Sequence, residues 1–239
     1  NVQRSGPSTG MPSKHEQSDI ELSLAGSHGD VSPLVFSPSS LEEMFQDLPQ
    51  AFLMAEKHRT PVIFLTDFAM MVSRASIEDV QIPRVSLQEL KGQRALPGSE
   101  GKMHHLTGNQ AGHNGLPTEL AHVRKELFNK HLEGLPLDIQ DSFYYLGGGH
   151  ELLIIAIGSA RGAVEMAIKE LKNGVSAIFP RVISPLPTKA LAPLIEKHSK
   201  VLVIDGNAKG QLLKLFKTYF DPHDKFYSLK KYDGEPFTP

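Results

Sequence analysis

The chain of 239 residues contains no cysteine and no tryptophan. Without thiols it forms no disulfide, offers no thiolate nucleophile and ligates no iron–sulfur cluster through cysteine. An excess of either charge is also lacking. The 25 Lys and Arg stand against 27 Asp and Glu, so the formal net charge of −2 carries no electrostatic footprint of a nucleic-acid binder. No apolar run approaches the ~20 residues of a membrane-spanning helix. Arg4 is followed by turn-forming residues, not by the apolar stretch of a secretory signal. These absences favour a cytoplasmic enzyme part with neither nucleic acid nor membrane as partner. The 40% hydrophobic and 22% charged content suits one large domain or two ordinary ones. Asn1-Val2-Gln3 reads as the end of a strand with no initiator Met before it, and a fragment of a longer polypeptide is expected.

The richest stretch is Gln3-Arg4-Ser5-Gly6-Pro7-Ser8-Thr9-Gly10, running on through Met11-Pro12-Ser13-Lys14-His15-Glu16-Gln17. One arginine opens a series of hydroxyls whose turns are set by Gly and Pro. Backbone N–H groups and Ser/Thr hydroxyls left free in such turns converge on an anion, and a guanidinium presents a planar fork that fits a carboxylate. Arg4 is therefore the leading candidate for binding a small acidic substrate, with Ser8, Thr9 and Ser13 as further donors. The competing role for Arg4 is a structural ion pair at a strand end. For the hydroxyls it is hydrogen bonding to their own turn. Lys14 reads as an exposed lysine before it reads as a second cation in the site.

Along the chain, Ser18 to Ala25 gives only a weak helix signal. Leu34-Val35-Phe36, stopped by Ser37-Pro38, reads as a buried strand. Ser40 to Glu43 has capping-box spacing, and the helix it opens is expected to bury Met44, Phe45, Leu48, Phe52 and Ala55, with Pro49 kinking or dividing it. Pro61 to Leu65 reads as a strand ending at Thr66-Asp67. Residues 73–147 differ in kind, rich in Gly, His and Asn, with one helical stretch from Glu119 to His131, and read as a long connection. From Glu151 strands and helices alternate again. The strands lie at Leu152–Ile157, Val175–Val182 and Val201–Ile204, and the helices begin near Gly162, after Pro187 and at Gly210. Short apolar strands alternating with helices imply an α/β fold with parallel sheets.

Several motif-like features carry less. His104, His105, His113, His122 and His131 lack an i, i+4 pair beside a glutamate, so no metal site is read from them. Gly147-Gly148-Gly149 precedes a strand and is not a dinucleotide fingerprint. Gly158-Ser159-Ala160 joins a strand to a helix, where an anion can sit at a helix N-terminus, but without a Lys-Ser/Thr pair it reads first as a tight structural turn.

The run Gln3 to Gly10 resembles the α subunit of the thiamine-dependent 2-oxoacid:ferredoxin oxidoreductases, in the form found in 2-oxoglutarate and broad 2-oxoacid members. The likeness extends to Met103–Lys130, with Thr107-Gly108, His113, Gly115, His122 and Arg124-Lys125. It continues through residues 148–220, with Gly158-Ser159, Ser184-Pro185-Leu186-Pro187 and Asn207 before Gly210-Gln211-Leu212. It implies two three-layer parallel-sheet units joined by a long connection. Residues 1–72 would be the C-terminal part of a pyrimidine-binding thiamine domain, 73–147 the inter-domain connection, and 148–239 a domain of transketolase C-terminal type. It further implies oxidative decarboxylation of 2-oxoglutarate or a related 2-oxoacid. Thiamine diphosphate and Mg²⁺ would be held mostly by a partner β subunit, coenzyme A would be co-substrate, and ferredoxin would be the acceptor. The iron–sulfur cluster would lie on another chain, and a γ subunit or domain is a further candidate partner. By the same resemblance Arg4 binds the 2-oxoacid carboxylate. No residue of this chain is named as catalytic or as cofactor-binding.

Departures are visible. The family's Tyr-Pro-x-Thr-Pro type motif and the glutamate that protonates the aminopyrimidine fall upstream of Asn1. Ser13 and His15 stand where the family often has threonine, and Asp205 where it often has glutamate. The competing expectations are a transketolase-like or dehydrogenase E1 β-type subunit, and a non-catalytic assembly module of the same fold.

Overall fold

A computed structural model describes residues 1–7, 10–28, 33–58, 60–76, 119–123, 125–126, 129, 142–171, 174–221 and 223–239. Ser8 and Thr9 lie outside the described residues, as do His104, His105, His113 and His131. Of the helix expected over 119–131, residues 121–123, 125–126 and 129 are helical, and His122 is among them.

The strands are β1 (Val2–Gln3), β2 (Leu34–Phe36), β3 (Val62–Phe64), β4 (Thr66–Asp67), β5 (Phe143–Leu146), β6 (Leu152–Ile155), β7 (Val175–Pro180), β8 (Val182–Ser184), β9 (Lys200–Asp205) and β10 (Phe226–Lys230). The helices are α1 (Ile20–Ala25), α2 (Leu41–His58), α3 (Phe68–Val72), α4 (Ala160–Leu171), α5 (Thr188–Glu196) and α6 (Gln211–Tyr219). The fold is α/β with parallel-containing sheets, as the alternation of elements implies. A five-stranded sheet has the order β10-β9-β6-β7-β5, parallel except for β5, which pairs antiparallel with β7. Its central strands are near-continuous apolar runs because helices cover both faces. Leu153, Ile155, Val201 and Val203 pack with Leu212 and Phe216 of α6 in one cluster, and Ile154, Ala156 and Ala177 pack with Ala160 and Val164 of α4 in another.

Two smaller sheets complete the molecule. β1 pairs parallel with β4, and β3 pairs parallel with β2. β2 also accepts β8 in antiparallel pairing, so strands from before residue 72 and after residue 148 share this sheet. The expected strand over 175–182 is broken at Arg181, which frees β8 for β2.

Two helix expectations need correction. Pro49 lies inside α2 and does not divide it. The buried face of α2 is also not the apolar one. Glu43, Asp47 and Ala51 are buried, while Phe45, Leu48 and Phe52 are exposed. The reason is electrostatic. Glu43 receives Arg161, and Asp47 receives Arg181 through Nε at 3.1 Å and through a second, very short contact. Arg161 also lies over the Tyr144 ring, 4.1 Å from its centroid. The polar stripe of α2 thus meets two arginines from the five-stranded-sheet side.

Candidate functional site

Arg4 directly follows β1, and residues 10–16 carry neither helix nor strand. Arg4 is exposed, and its Nη1 donates to the carbonyl of Pro12 at 3.0 Å. Among the described residues no carboxylate pairs with it, so the ion-pair role at a strand end is not what holds it. The loop is closed by Ser5 N–H donating to Lys14 O at 2.9 Å and by Gly6 N–H donating to Glu16 Oε2 at 3.0 Å. Ser13 lies exposed in the same loop. Lys14 is exposed and forms an ion pair with Glu235, so it does not stand as a free second cation. The tail also meets the loop where His15 N–H donates to Gly234 O at 3.0 Å.

Below the loop lies a buried polar cluster that sequence reading did not single out. Asp67 has no exposed surface. Its Oδ1 accepts Met70 N–H at 3.0 Å, which caps α3. Its Oδ2 accepts Ser159 N–H at 2.8 Å and Gln17 Nε2 at 2.9 Å. One carboxylate therefore serves the first turn of α3 and the residue just before α4, where helix dipoles favour negative charge. The Gly158-Ser159 turn does seat an anion, and that anion is the protein's own.

Gln17 is wedged between the carboxyl ends of β6 and β9. Its Nε2 also donates to Ile157 O at 2.9 Å, and its N–H donates to Gly206 O at 2.7 Å. Asn207 Nδ2 donates to Gln17 O at 2.9 Å, while Gln211 N–H donates to Asn207 Oδ1 at 3.1 Å and Gln211 Nε2 to Ser18 O at 2.8 Å. The chain turns one way from β6 to β7 and the other way to reach β9, so β6 and β9 flank the topological switch point. Open α/β sheets usually bind ligands in that crevice. Here Gln17 fills it, and the crevice serves to seat the loop that carries Arg4.

His15 lies against the same cluster, buried, with Nδ1 3.6 Å from Asp67 Oδ1 and neither ring nitrogen hydrogen-bonded. Burial pushes its pKa below the usual histidine value, against the opposing pull of Asp67 and Glu16. Asp205, at the end of β9, accepts Leu212 N–H at 2.8 Å and Ser228 Oγ–H at 2.9 Å. Burial raises its pKa despite those two bonds. Asp205 thus holds the start of α6.

Comparison with known proteins places this arrangement. Residues 1–125 match the family described as pyruvate flavodoxin/ferredoxin oxidoreductase, thiamine diphosphate-binding. The chain belongs to this family. Among its relatives is the 2-oxoglutarate synthase subunit KorA of Archaeoglobus fulgidus, 33% identical over 221 residues, covering 90% of this chain and 61% of the relative. Another is the alpha subunit of 2-oxoacid:ferredoxin oxidoreductase 1 of Sulfurisphaera tokodaii, 26% identical over 98% of this chain and 41% of the relative. In structure the chain is similar to a 2-oxoglutarate:ferredoxin oxidoreductase from Magnetococcus marinus solved with 2-oxoglutarate, coenzyme A and succinyl-CoA bound. The TM-score is 0.80 at 28% identity, covering 99% of this chain and 46% of that one. The chain thus spans between about two fifths and three fifths of the length of these relatives.

Family membership raises the question of where thiamine diphosphate would be held. Among the described residues no group of three His, Asp or Glu gathers that could hold a metal ion. No helix among the described residues is long and apolar enough to cross a membrane.

Proposed function

We propose that this chain is the substrate-carboxylate-binding part of a thiamine-dependent 2-oxoacid:ferredoxin oxidoreductase, acting on 2-oxoglutarate or a related 2-oxoacid. The net reaction is oxidative decarboxylation. The 2-oxoacid and coenzyme A yield acyl-CoA and CO₂, and the two electrons released reduce ferredoxin. The observation that carries this reading is Arg4, exposed at the top of a stapled loop with a single contact to a backbone carbonyl and no carboxylate partner among the described residues. Its fork is free to take a substrate carboxylate through two parallel bonds. Ser13, exposed in the same loop, is proposed to donate to the same anion, and Ser8 and Thr9 are proposed with it from their positions in the sequence.

The rest of the machinery is proposed to lie elsewhere. A partner β subunit would carry the diphosphate and Mg²⁺ site, and a chain with cysteines would carry the iron–sulfur cluster, since this one has none. The relatives' names as subunits support partner chains. Residues 1–72, 73–147 and 148–239 are proposed as partial pyrimidine domain, connection and transketolase C-terminal-type domain, within a cytoplasmic complex.

Substitution of Arg4 in the assembled enzyme tests the reading. A hydrogen bond to a charged group contributes roughly 1.5–3 kcal/mol, so Arg4→Ala should lower kcat/KM for 2-oxoglutarate by about one to two orders of magnitude. Arg4→Lys keeps the charge but loses the fork, and should fall between. KM should rise more than kcat falls, because the carboxylate is already present in the ground state. Unchanged kcat/KM for every 2-oxoacid tested would overturn the assignment.

A further inference from the structure

His15 is a buried titratable group that the substrate-binding reading does not use. Its side chain is 3% exposed, and both ring nitrogens lack hydrogen bonds. Asp67 Oδ1 stands 3.6 Å from Nδ1, too far to bond and already occupied by Met70 N–H, while Oδ2 is taken by Ser159 and Gln17. A neutral imidazole is tolerated there. An imidazolium would add a second N–H donor and a charge in a buried pocket whose nearby acceptor, Asp67 Oδ1, stands 3.6 Å from Nδ1 and beyond hydrogen-bond reach, and burying such a charge is unfavourable unless it is paired and hydrogen-bonded.

The position of His15 in the chain couples this pocket to the proposed substrate site. Its own N–H holds the tail at Gly234 O, and the residue before it, Lys14, provides the carbonyl that Ser5 N–H donates to at 2.9 Å. Ser5 follows Arg4 directly, and Arg4 rests on Pro12 O of the same loop. The ring is therefore the underside of the platform that presents the Arg4 fork.

We propose that His15 is a positioning residue that makes the grip of the Arg4 loop on a 2-oxoacid carboxylate depend on pH, firm while the imidazole is neutral and loosened when it is protonated. This inference rests on the substrate-binding reading above. The charged groups that face the ring come from every element around it. Asp67 on β4, Glu16 in the loop and Asp233 in the tail favour the imidazolium, Lys231 after β10 opposes it, and burial outweighs them all. Glu16 is engaged by Gly6 N–H, and Lys231 and Asp233 pair with each other, which weakens their pull on the ring.

The sign follows from the lowered pKa. The folded loop disfavours the proton that an unseated loop accepts at the ordinary value of 6.5, so the seating is fully favourable above that pH and weakens as pH falls below it. The carboxylates of a 2-oxoacid, with pKa near or below that of ordinary carboxyls at about 4, stay ionised through this window and do not confound the reading.

The test uses the assembled enzyme as wild type, His15→Thr and His15→Gln, two neutral replacements of different size. Steady-state kinetics with 2-oxoglutarate are followed between about pH 7.5 and pH 5.5, bracketing the range in which histidine titrates. Hydrogen exchange of the peptides covering residues 3–17 and 232–236 is read at the same pH values, corrected for the intrinsic exchange rate. In the wild type KM should rise toward the acid end, by at most about tenfold over one pH unit of linkage, with a smaller change in kcat, and the loop and tail peptides should lose protection together. Both variants should show a flat KM profile and pH-independent protection. Either variant retaining the wild-type pH response, or a wild type with none, overturns the proposal. Arg4→Ala with unchanged kcat/KM would instead overturn the substrate-binding reading, while the exchange data would still decide whether His15 governs the loop.

Discussion

Asp205 shows how a buried carboxyl at the end of an apolar strand can serve the fold. In the sequence it closes an apolar strand before Gly206 and Asn207, a place where functional acids often sit. In the fold its two oxygens are spent on Leu212 N–H and Ser228 Oγ–H, which secure the start of α6 against β10. Burial raises its pKa, so the protonated form is the one folding favours. Its stabilising contribution is complete below the unfolded carboxyl value of 3.8 and is lost as pH rises through the higher folded value. Asp205→Asn imitates the protonated form, with Oδ1 accepting from Leu212 and Nδ2 donating to Ser228. Thermal unfolding should therefore show the Asn variant at or above the wild-type Tm at pH 7, with the difference shrinking toward pH 4. A variant several degrees less stable at pH 7, with a gap that ignores pH, would mean that the ionised carboxylate is the stabilising form. Arg4 and His15 carry the two functional predictions at this level, one reading substrate grip directly and the other reading the platform beneath it.

Helix α2 inverts the expectation drawn from its pattern. Its apolar residues repeat at helical spacing, and the plain inference from such a stripe is burial. The structure instead turns Phe45, Leu48 and Phe52 outward, and Phe45 and Leu48 help line a cavity of 510 Å³ with Phe64, Met70 and Met71. Glu43 and Asp47 go inward to Arg161 and Arg181. Periodicity identified the helix and its Ser40 cap, whose Oγ accepts Glu43 N–H at 3.1 Å. It could not choose the buried face, because that choice depends on arginines more than 110 residues away. Removing one member of a mostly buried ion pair leaves the other charge less well compensated. Asp47→Ala should therefore cost about 3 kcal/mol, whereas Phe52→Ser at an exposed position should change stability by less than about 0.5 kcal/mol. Denaturant unfolding of both variants checks the pair. A larger loss for Phe52→Ser than for Asp47→Ala would show that the apolar face is the one held inward.

The molecule as a whole is tied together where Gln17 and Asp67 enter the five-stranded sheet's crevice. Close approach there depends on two glycines. A Cβ on Gly158, which has φ +58°, would stand 2.3 Å from Asp67 Oδ2 and 2.9 Å from Gln17 Nε2. A Cβ on Gly206 would stand 2.8 Å from Gln17 Oε1. The first contact meets a carboxylate fixed by three donors, the second a side chain in a slot with little room to move. Gly158→Ala carries both backbone strain and the closer clash, so it should destabilise by at least about 2 kcal/mol. Gly206→Ala should cost less, and both should expose the 3–17 peptide to proteolysis or hydrogen exchange ahead of global unfolding. Wild-type protection of that peptide in Gly158→Ala would show that the crevice does not anchor the loop.

The sequence alone determined the class of the fold, the family resemblance and the candidate residue Arg4. These are local properties: apolar runs of strand length, helix caps, and a dense Gly/Pro/hydroxyl turn beginning with arginine. It also marked Gly158-Ser159 as a turn able to seat an anion and Lys14 as an exposed cation. Only the tertiary structure decided what fills the anion seat and what pairs with the lysine. Asp67 and Ser159 are 92 residues apart, and Lys14 and Glu235 are 221 apart. The strand pairing of β8 with β2, the outward face of α2 and the burial of His15 beside Asp67 were equally beyond local pattern. Each depends on which distant groups compensate a buried charge or an open strand edge. That compensation exists only once the chain has closed on itself.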